Sequence, residues 1–256
     1  MRKRGMESRI SAAAALLQQS QQMVALTGAG ISTPSGIPDF RSPDSGVWKN
    51  ADPMKVASIY AFRHHPLAFY EWVRPLAYTI LNAQPNQAHL ALMHLEMYGP
   101  LKAIITQNID MLHTRAGSKI VFEVHGHLRE ATCLSCGYCG DAQALLARVI
   151  QDHIVPTCPH CHGVMKPNVT LFGEPLPGAI FQQAQTAAAT CDLLLVAGSS
   201  LEVAPVGDLP YLAKRNRAKF IIINLGETHL DHLADIIIRG NLADVLPQLA
   251  TPFLPK

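Results

Sequence analysis

The residues of this chain best suited to chemistry fall into short blocks. At the end of an apolar run, 23–26, come Thr27-Gly28-Ala29-Gly30. Glycine at two alternate positions leaves main-chain N–H groups open to the close approach of a diphosphate. Residues 36–41 follow, ending in Asp39, Phe40 and Arg41. Pro34 and Pro38 interrupt any helix there, so the segment reads as an ordered loop carrying an acid, an aromatic ring and a base. Gln107, Asn108, Ile109 and Asp110 form a second block, whose amides and carboxylate are dipoles suited to a developing cation. His125 is a candidate general base, since histidine as a residue type ordinarily titrates near neutrality.

The cysteines make a third group. Cys133 and Cys136, then Cys158 and Cys161, are paired Cys-x-x-Cys hooks with 21 residues between them. That separation suits closed tetrahedral thiolate ligation of one structural zinc. Cys139 makes residues 136–139 an alternative hook, and His160 and His162 are alternative ligands. Cys191, just before a strand, reads as a buried apolar filler.

Positioning these groups requires a sheet. Apolar strand-length runs at 23–26, 102–105, 120–124, 193–197, 220–223 and 235–238 are mostly separated by helix-length segments. That alternation predicts an α/β fold with a parallel sheet. The ligand crevice of such a sheet lies outside the carboxyl ends of its strands, where Gly28, Asn108, His125, Ser199 and Asn224 should converge. Helices are expected over 8–22, from Asp52-Pro53, from Pro66 through Tyr70, Val73 and Leu76, and from Asn86 to about residue 98. Two stretches break the rhythm: about 40–88, largely helical, and about 131–167, with five of the six cysteines.

Composition narrows the class. With 48% hydrophobic and 16% charged residues in 256, the chain is globular, and a net charge of +2 gives no argument for a nucleic-acid partner. Arg2, Lys3, Arg4 and Arg9 read as a solvated basic tail. No signal peptide and no membrane-length apolar run is evident, so a cytoplasmic, disulfide-free protein is expected. The segment between the hooks reads as a mixed amphipathic helix without a basic-aromatic stripe, so direct nucleic-acid binding is not expected.

Taken in order over about 8–250, these blocks resemble the sirtuins, the NAD-dependent protein deacylases, and most closely their archaeal and bacterial deacetylases. The resemblance implies a Rossmann-like parallel-sheet domain (8–40, 89–130 and 168–250), a helical lobe with a cofactor loop (41–88) and a zinc-ribbon module (131–167). It assigns NAD binding to Gly28, Ala29, Gly30, Ser32, Asp39, Phe40, Arg41, Gln107, Asn108, Ile109 and Asp110. On the adenosine side it adds Gly198, Ser199, Ser200, Asn224, Leu225, Gly226 and Ala243. His125, Asn108 and Asp110 become catalytic; Thr170, Phe172, Gly173, Glu174 and Val203 contact an acyl-lysine peptide. The family's order of ligands favours Cys133, Cys136, Cys158 and Cys161 for zinc.

The implied reaction is attack of the acyl oxygen on C1′ of the nicotinamide ribose, with release of nicotinamide. His125 then takes a proton from a ribose hydroxyl that closes on the acyl carbon, and addition of water to that carbon gives free lysine and O-acetyl-ADP-ribose. Two features depart from the family's patterns. Thr170 stands where many relatives carry valine, and Tyr70 and Arg74 do not reproduce the Tyr-x-x-Arg pair of enzymes that remove acidic acyl groups. Acetyl-lysine is therefore the expected substrate. The alternatives are an ADP-ribosyltransferase or NADase, a deacylase for another acyl group, and a non-catalytic NAD or ADP-ribose sensor. A hydride-transferring enzyme fits less well, because Thr33 replaces the third glycine of the dinucleotide fingerprint.

Overall fold

A computed structural model describes residues 2–40 and 46–255, so Arg41 lies outside the described residues. The basic residues expected in a solvated tail lie on a helix, α1 (Arg2–Gln19), whose residues 5–9 are exposed. Ile10, Ala13 and Leu17 are buried at helical spacing, and Arg9 Nη1 donates to the Ile237 carbonyl at 3.1 Å. After β1 (Met23–Thr27) come α2 (Pro53–Val56), α3 (Ile59–His64) and α4 (Pro66–Asn82). Then follow α5 (Gln87–Tyr98), β2 (Leu101–Thr106), α6 (Leu112–Ala116) and β3 (Val121–Glu123). The cysteine-bearing stretch holds β4 (Gly126–Cys133), β5 (Cys139–Asp141), α7 (Ala142–Asp152) and β6 (Met165–Val169). The chain closes with α8 (Gly178–Thr190), β7 (Leu193–Ala197), α9 (Leu209–Arg215), β8 (Lys219–Ile223), β9 (Ile236–Ile238) and α10 (Leu242–Ala250).

Local signals explain most of these boundaries. Asp52 accepts from the Met54 N–H at 3.0 Å, with Pro53 in the first turn of α2. Asn86 caps α5 by accepting from Ala88 N, while its own N–H donates to His89 Nδ1. Between α2 and α4 lies the short α3, capped by Ser58, whose Oγ accepts from Ala61 N at 3.1 Å.

Six strands form one parallel sheet in the order β3-β2-β1-β7-β8-β9. Strict alternation sends each strand's side chains into two cores. Ala25, Ile104, Leu195 and Ile221 meet α1, α5 and α10, whereas Val24, Leu26, Val196 and Phe220 meet α8 and α9. β1 is buried at all five positions, as a central parallel strand must be.

A smaller antiparallel sheet, β5-β4-β6, carries the cysteines. The expected boundaries after residues 130 and 167 fall inside β4 and β6. Leu146 and Val149 of α7 pack with Phe69, Val73 and Leu76 of α4, so the lobe and the cysteine-bearing segment share a core. Among the described residues, no helix is long and apolar enough to cross a membrane.

Candidate active site and metal centre

β1 lies between β2 and β7, where the strand order reverses, and loops leaving these carboxyl ends diverge. A cleft of about 1070 Å³ opens there, and Gly28, Asn108, His125, Ser199 and Asn224 all line it, as the strand-end pattern requires. Ala29, Gly30, Asp39, Phe40, Gln107, Ile109, Gly198, Ser200, Leu225 and Gly226 line it too, with Thr170, Phe172, Gly173, Glu174 and Val203. Ala243 does not; Gly240, Asn241 and Leu242 reach the cleft from that segment instead.

The glycine turn has a different physical reason from the one its sequence suggests. A Cβ on Gly28 would stand 2.8 Å from the Gly198 oxygen, and one on Gly30 2.8 Å from Gly198 Cα. The N–H groups of Gly28 and Gly30 are engaged inside the chain, by Ala197 O at 3.2 Å and Gly198 O at 2.9 Å. Absence of side chains here lets the β1 and β7 loops touch, and the turn presents Ala29 to the cleft.

Behind this turn lies a buried polar layer. Asn108 Nδ2 donates to Gly28 O at 3.2 Å and to Ser32 Oγ at 3.1 Å, and Ser32 Oγ donates to Asp110 Oδ2 at 2.6 Å. Asp110 Oδ1 accepts from Leu112 N at 2.9 Å. Ser32 and Asp110 are therefore one layer behind Asn108, not on the cleft wall. Burial raises the Asp110 pKa above the ordinary carboxylate value, against the bonds from Ser32, Leu112 and Asn108.

Two histidines outside the sequence motifs, His89 and His113, complete this layer. His89 Nε2 faces Ser32 Oγ at 3.5 Å, and His113 Nε2 bonds Thr27 Oγ1 at 2.9 Å, with the rings 4.9 Å apart. Burial lowers the His89 pKa to about 4 and that of His113 well below its ordinary value, so both are neutral at neutral pH. Because His89 Nδ1 accepts from Asn86 N, its proton sits on Nε2, facing Ser32.

His125 is held differently. Its Nδ1 lies 3.0 Å from Gln107 O. A carbonyl only accepts, so Nδ1 carries the proton and Nε2 is the basic nitrogen. Gln107 Nε2 in turn donates to Ser199 Oγ at 2.8 Å, tying the β2, β3 and β7 ends together. The next residue must be glycine: a Cβ on Gly126, at φ +77, would stand 2.0 Å from Asn168 O.

The opposite wall is apolar. Phe69, Trp72, Val73 and Leu76 of α4 face Ile109, Leu128, Val169 and Leu171 along one arm of the cleft. Tyr70 is turned away and donates to Met165 O at 2.6 Å, while Arg74 contacts His153. Phe172 is fixed through its backbone, donating to Ala57 O and accepting from Ile59 N, both at 2.9 Å. The Glu174 carboxylate closes the following turn, accepting from Leu171 N and from the largely buried Lys166 ammonium, each at 2.9 Å.

The sulfurs of Cys133, Cys136, Cys158 and Cys161 lie within 4.8 Å of one another, with Cys133–Cys161 at 3.4 Å and Cys136–Cys158 at 3.6 Å. A tetrahedral zinc bonded at about 2.3 Å would set sulfurs about 3.8 Å apart, so this donor set fits one closed structural site. Cys139 stands outside the cluster, as do His160, whose ring packs on Tyr138, and His162. Cys191 is buried, as expected of a filler.

The fold and cleft define an α/β nucleotide-site protein with an apolar arm beside the polar pocket. The Sir2 family pattern matches residues 28–205. The chain is 47% identical to the "NAD-dependent protein deacetylase 2" of Caldanaerobacter subterraneus subsp. tengcongensis, over 89% of each chain. It is 44% identical to the "NAD-dependent protein deacetylase" of Sulfolobus acidocaldarius, over 92% of each. A solved Sir2 structure with deacetylated p53 peptide and 3′-O-acetyl ADP ribose superposes with a TM-score of 0.90 at 38% identity, covering 95% of this chain and 98% of that one. The chain belongs to the Sir2 family.

Proposed function

We propose that this protein is an NAD-dependent protein-lysine deacetylase, yielding nicotinamide, deacetylated lysine and O-acetyl-ADP-ribose. The observation that carries this reading is the juxtaposition of His125, its basic nitrogen set by Gln107, with both a polar pocket and an apolar arm. Kinship with the deacetylases of Caldanaerobacter and Sulfolobus supports it.

The residues present fit a dinucleotide. The cleft is at the upper end of the roughly 300–1,000 Å³ of ordinary small-molecule sites, and its polar half offers Gln107, Asn108, Ser199, Ser200 and Asn224. NAD, when bound, supplies the nicotinamide–ribose bond that is broken and the ADP-ribose that accepts the acyl group. Asn108, held by Gly28 and Ser32, orients the nicotinamide end through its amide, and Asp110 positions Asn108 and Ser32 from behind. His125 Nε2, left basic by the contact of Nδ1 with Gln107 O, would hold the proton given up by a hydroxyl of the bound ribose. Phe69, Trp72 and Val73 surround the acyl-lysine stem and exclude water from it. Gly173, beside the fixed backbone of Phe172, presents main chain to an extended peptide. The zinc site sets the course of β4 and β6 and has no open position for substrate.

The same reading divides the chain into an NAD-binding sheet domain, the lobe and the zinc module, and places the protein in the cytoplasm. An ADP-ribosyltransferase, an NADase or an NAD sensor has no need of the apolar arm, which favours deacylation over all three. The test is incubation of acetyl-lysine peptide with and without NAD, with products identified by mass. Loss of acetyl from the peptide only with NAD, matched by O-acetyl-ADP-ribose, is the expected result. NAD consumption without peptide deacetylation would replace this reading with NADase or transferase activity.

A further inference from the structure

The reaction described above makes no use of Lys166, which is 8% exposed on β6. Taking an ammonium out of water is unfavourable unless its donors are met, and this one has three acceptors for its three donors. Nζ lies 2.7 Å from Val169 O, 3.3 Å from Pro167 O and 2.9 Å from Glu174 Oε2. Val169 and Glu174 stand on either side of residues 170–173, and all six line the cleft, so the ammonium closes a ring across that strip. Inside the ring Glu174 N donates to Leu171 O at 3.0 Å, and Leu171 N donates to Glu174 Oε2 at 2.9 Å. These bonds make 171–174 a tight turn whose third residue, Gly173, is at φ +85. Phe172 N and O are taken by Ala57 and Ile59, whereas Gly173 N and O make no hydrogen bond among the described residues.

We propose that Lys166 is a positioning residue for the substrate peptide: its ammonium, held between Val169 O and the Glu174 carboxylate, keeps the 171–174 turn in the form that offers the Gly173 main chain to the peptide backbone. The inference rests on the proposed reading of this strip as the acyl-lysine peptide site. Lys166 itself does not line the cleft, so its effect on substrate passes through Glu174 and Val169. The first half of the turn is fixed from the lobe, where Phe172 bonds Ala57 and Ile59. The second half is closed by the Glu174 carboxylate, which Lys166 aims at Leu171 N. Without the ammonium that carboxylate gains more by turning to water, and Leu171 N loses its acceptor. The turn then samples several forms, and the cost of ordering it falls on peptide binding.

The test compares two substrates of the full chain: an acetyl-lysine peptide, and a single acetyl-lysine blocked at both ends, which has no neighbouring residues to lie along the strip. kcat/KM is measured for each at saturating NAD, and the ratio of the two does not depend on how much of a variant is active. In the parent the peptide should be favoured. In Lys166→Met, which keeps the length of the side chain and loses its charge, the ratio should fall by about tenfold, the size expected for one charge-assisted hydrogen bond. The fall should come from the peptide KM, with kcat within about threefold of the parent, as loss of ground-state binding requires. Lys166→Arg, which retains a cation, should keep more of the ratio than Lys166→Met. Affinity of Lys166→Met for ADP-ribose, measured by calorimetry, should match the parent's. If Lys166→Met does not fold, Glu174→Gln decides: a lowered ratio supports the proposal and a parent-like one overturns it. A parent-like ratio in folded Lys166→Met, or equal losses on both substrates, also overturns the proposal while leaving the deacetylase reading intact. A parent that removes acetyl from neither substrate overturns that reading, and the inference with it.

Discussion

Ser32 Oγ donates to Asp110 Oδ2 at 2.6 Å while accepting from Asn108 Nδ2 at 3.1 Å, so one buried hydroxyl joins the turn after β1 to the loop after β2. Ser32→Ala would leave the carboxylate and the amide each short of a partner in a layer without exposure. That should cost about 1–3 kcal/mol of stability, read by denaturant titration. Nicotinamide release should slow as Asn108 loses its orientation. Parent-like stability and nicotinamide exchange would mean that Asp110 and Asn108 are held by something other than this hydroxyl.

The neutral histidine pair predicts a pH dependence of stability. The folded-state pKa of His89, about 4, is below its unfolded value of 6.5. Its contribution to stability is therefore fully present above pH 6.5 and is lost as pH falls toward 4, because the unfolded chain takes up the proton first. A shift of this size corresponds to roughly 3 kcal/mol at most, and His113 changes stability in the same direction. In His89→Gln the slope of stability against pH between 6.5 and 4 should be shallower by the share of one proton. An unchanged slope would place the protonation elsewhere.

Much of this arrangement is legible in the sequence, because strand-length apolar runs ending in small or polar residues point to one edge of a parallel sheet. Gly28, Asn108, His125, Ser199 and Asn224 meet there for that reason. Other features depend on contacts between distant residues and leave no local pattern. His89 lies within the mostly apolar stretch of α5, and only its approach to Ser32 and His113 gives it a role. Glu174 lines the cleft as the sequence suggests, but its contact with Lys166 across the turn has no local pattern. The choice among five clustered cysteines is likewise a matter of distance, since 133–136 and 136–139 have the same spacing.

Zinc content tests that choice. Cys133→Ala and Cys161→Ala each remove one of four mutually close sulfurs and should lose the metal together with most soluble, folded protein, because binding energy in such sites is also folding energy. Cys139→Ser should retain one zinc per chain. Metal loss in Cys139→Ser, or full metal in Cys133→Ala, would move the site.

Acyl preference follows from the arm. Trp72 and Val73 line it, whereas Tyr70 donates to Met165 O and Arg74 contacts His153, so no described cation or phenol faces an acidic acyl group there. Acetyl-lysine peptide should therefore be turned over faster than succinyl-lysine peptide in side-by-side kcat/KM measurements. Equal or faster succinyl turnover would mean that Tyr70 or Arg74 swings into the arm.

The assignment of separate steps to two residues is the centre of the account, and one pair of assays on two variants addresses it. His125→Ala removes the general base and should lower deacetylation by about 10²–10⁴, while exchange of labelled nicotinamide into NAD in the presence of acetyl peptide persists. Asn108→Ala should suppress the exchange as well as deacetylation. Deacetylation by His125→Ala near the parent rate, or loss of exchange and NAD binding in that variant, would contradict the role given to His125.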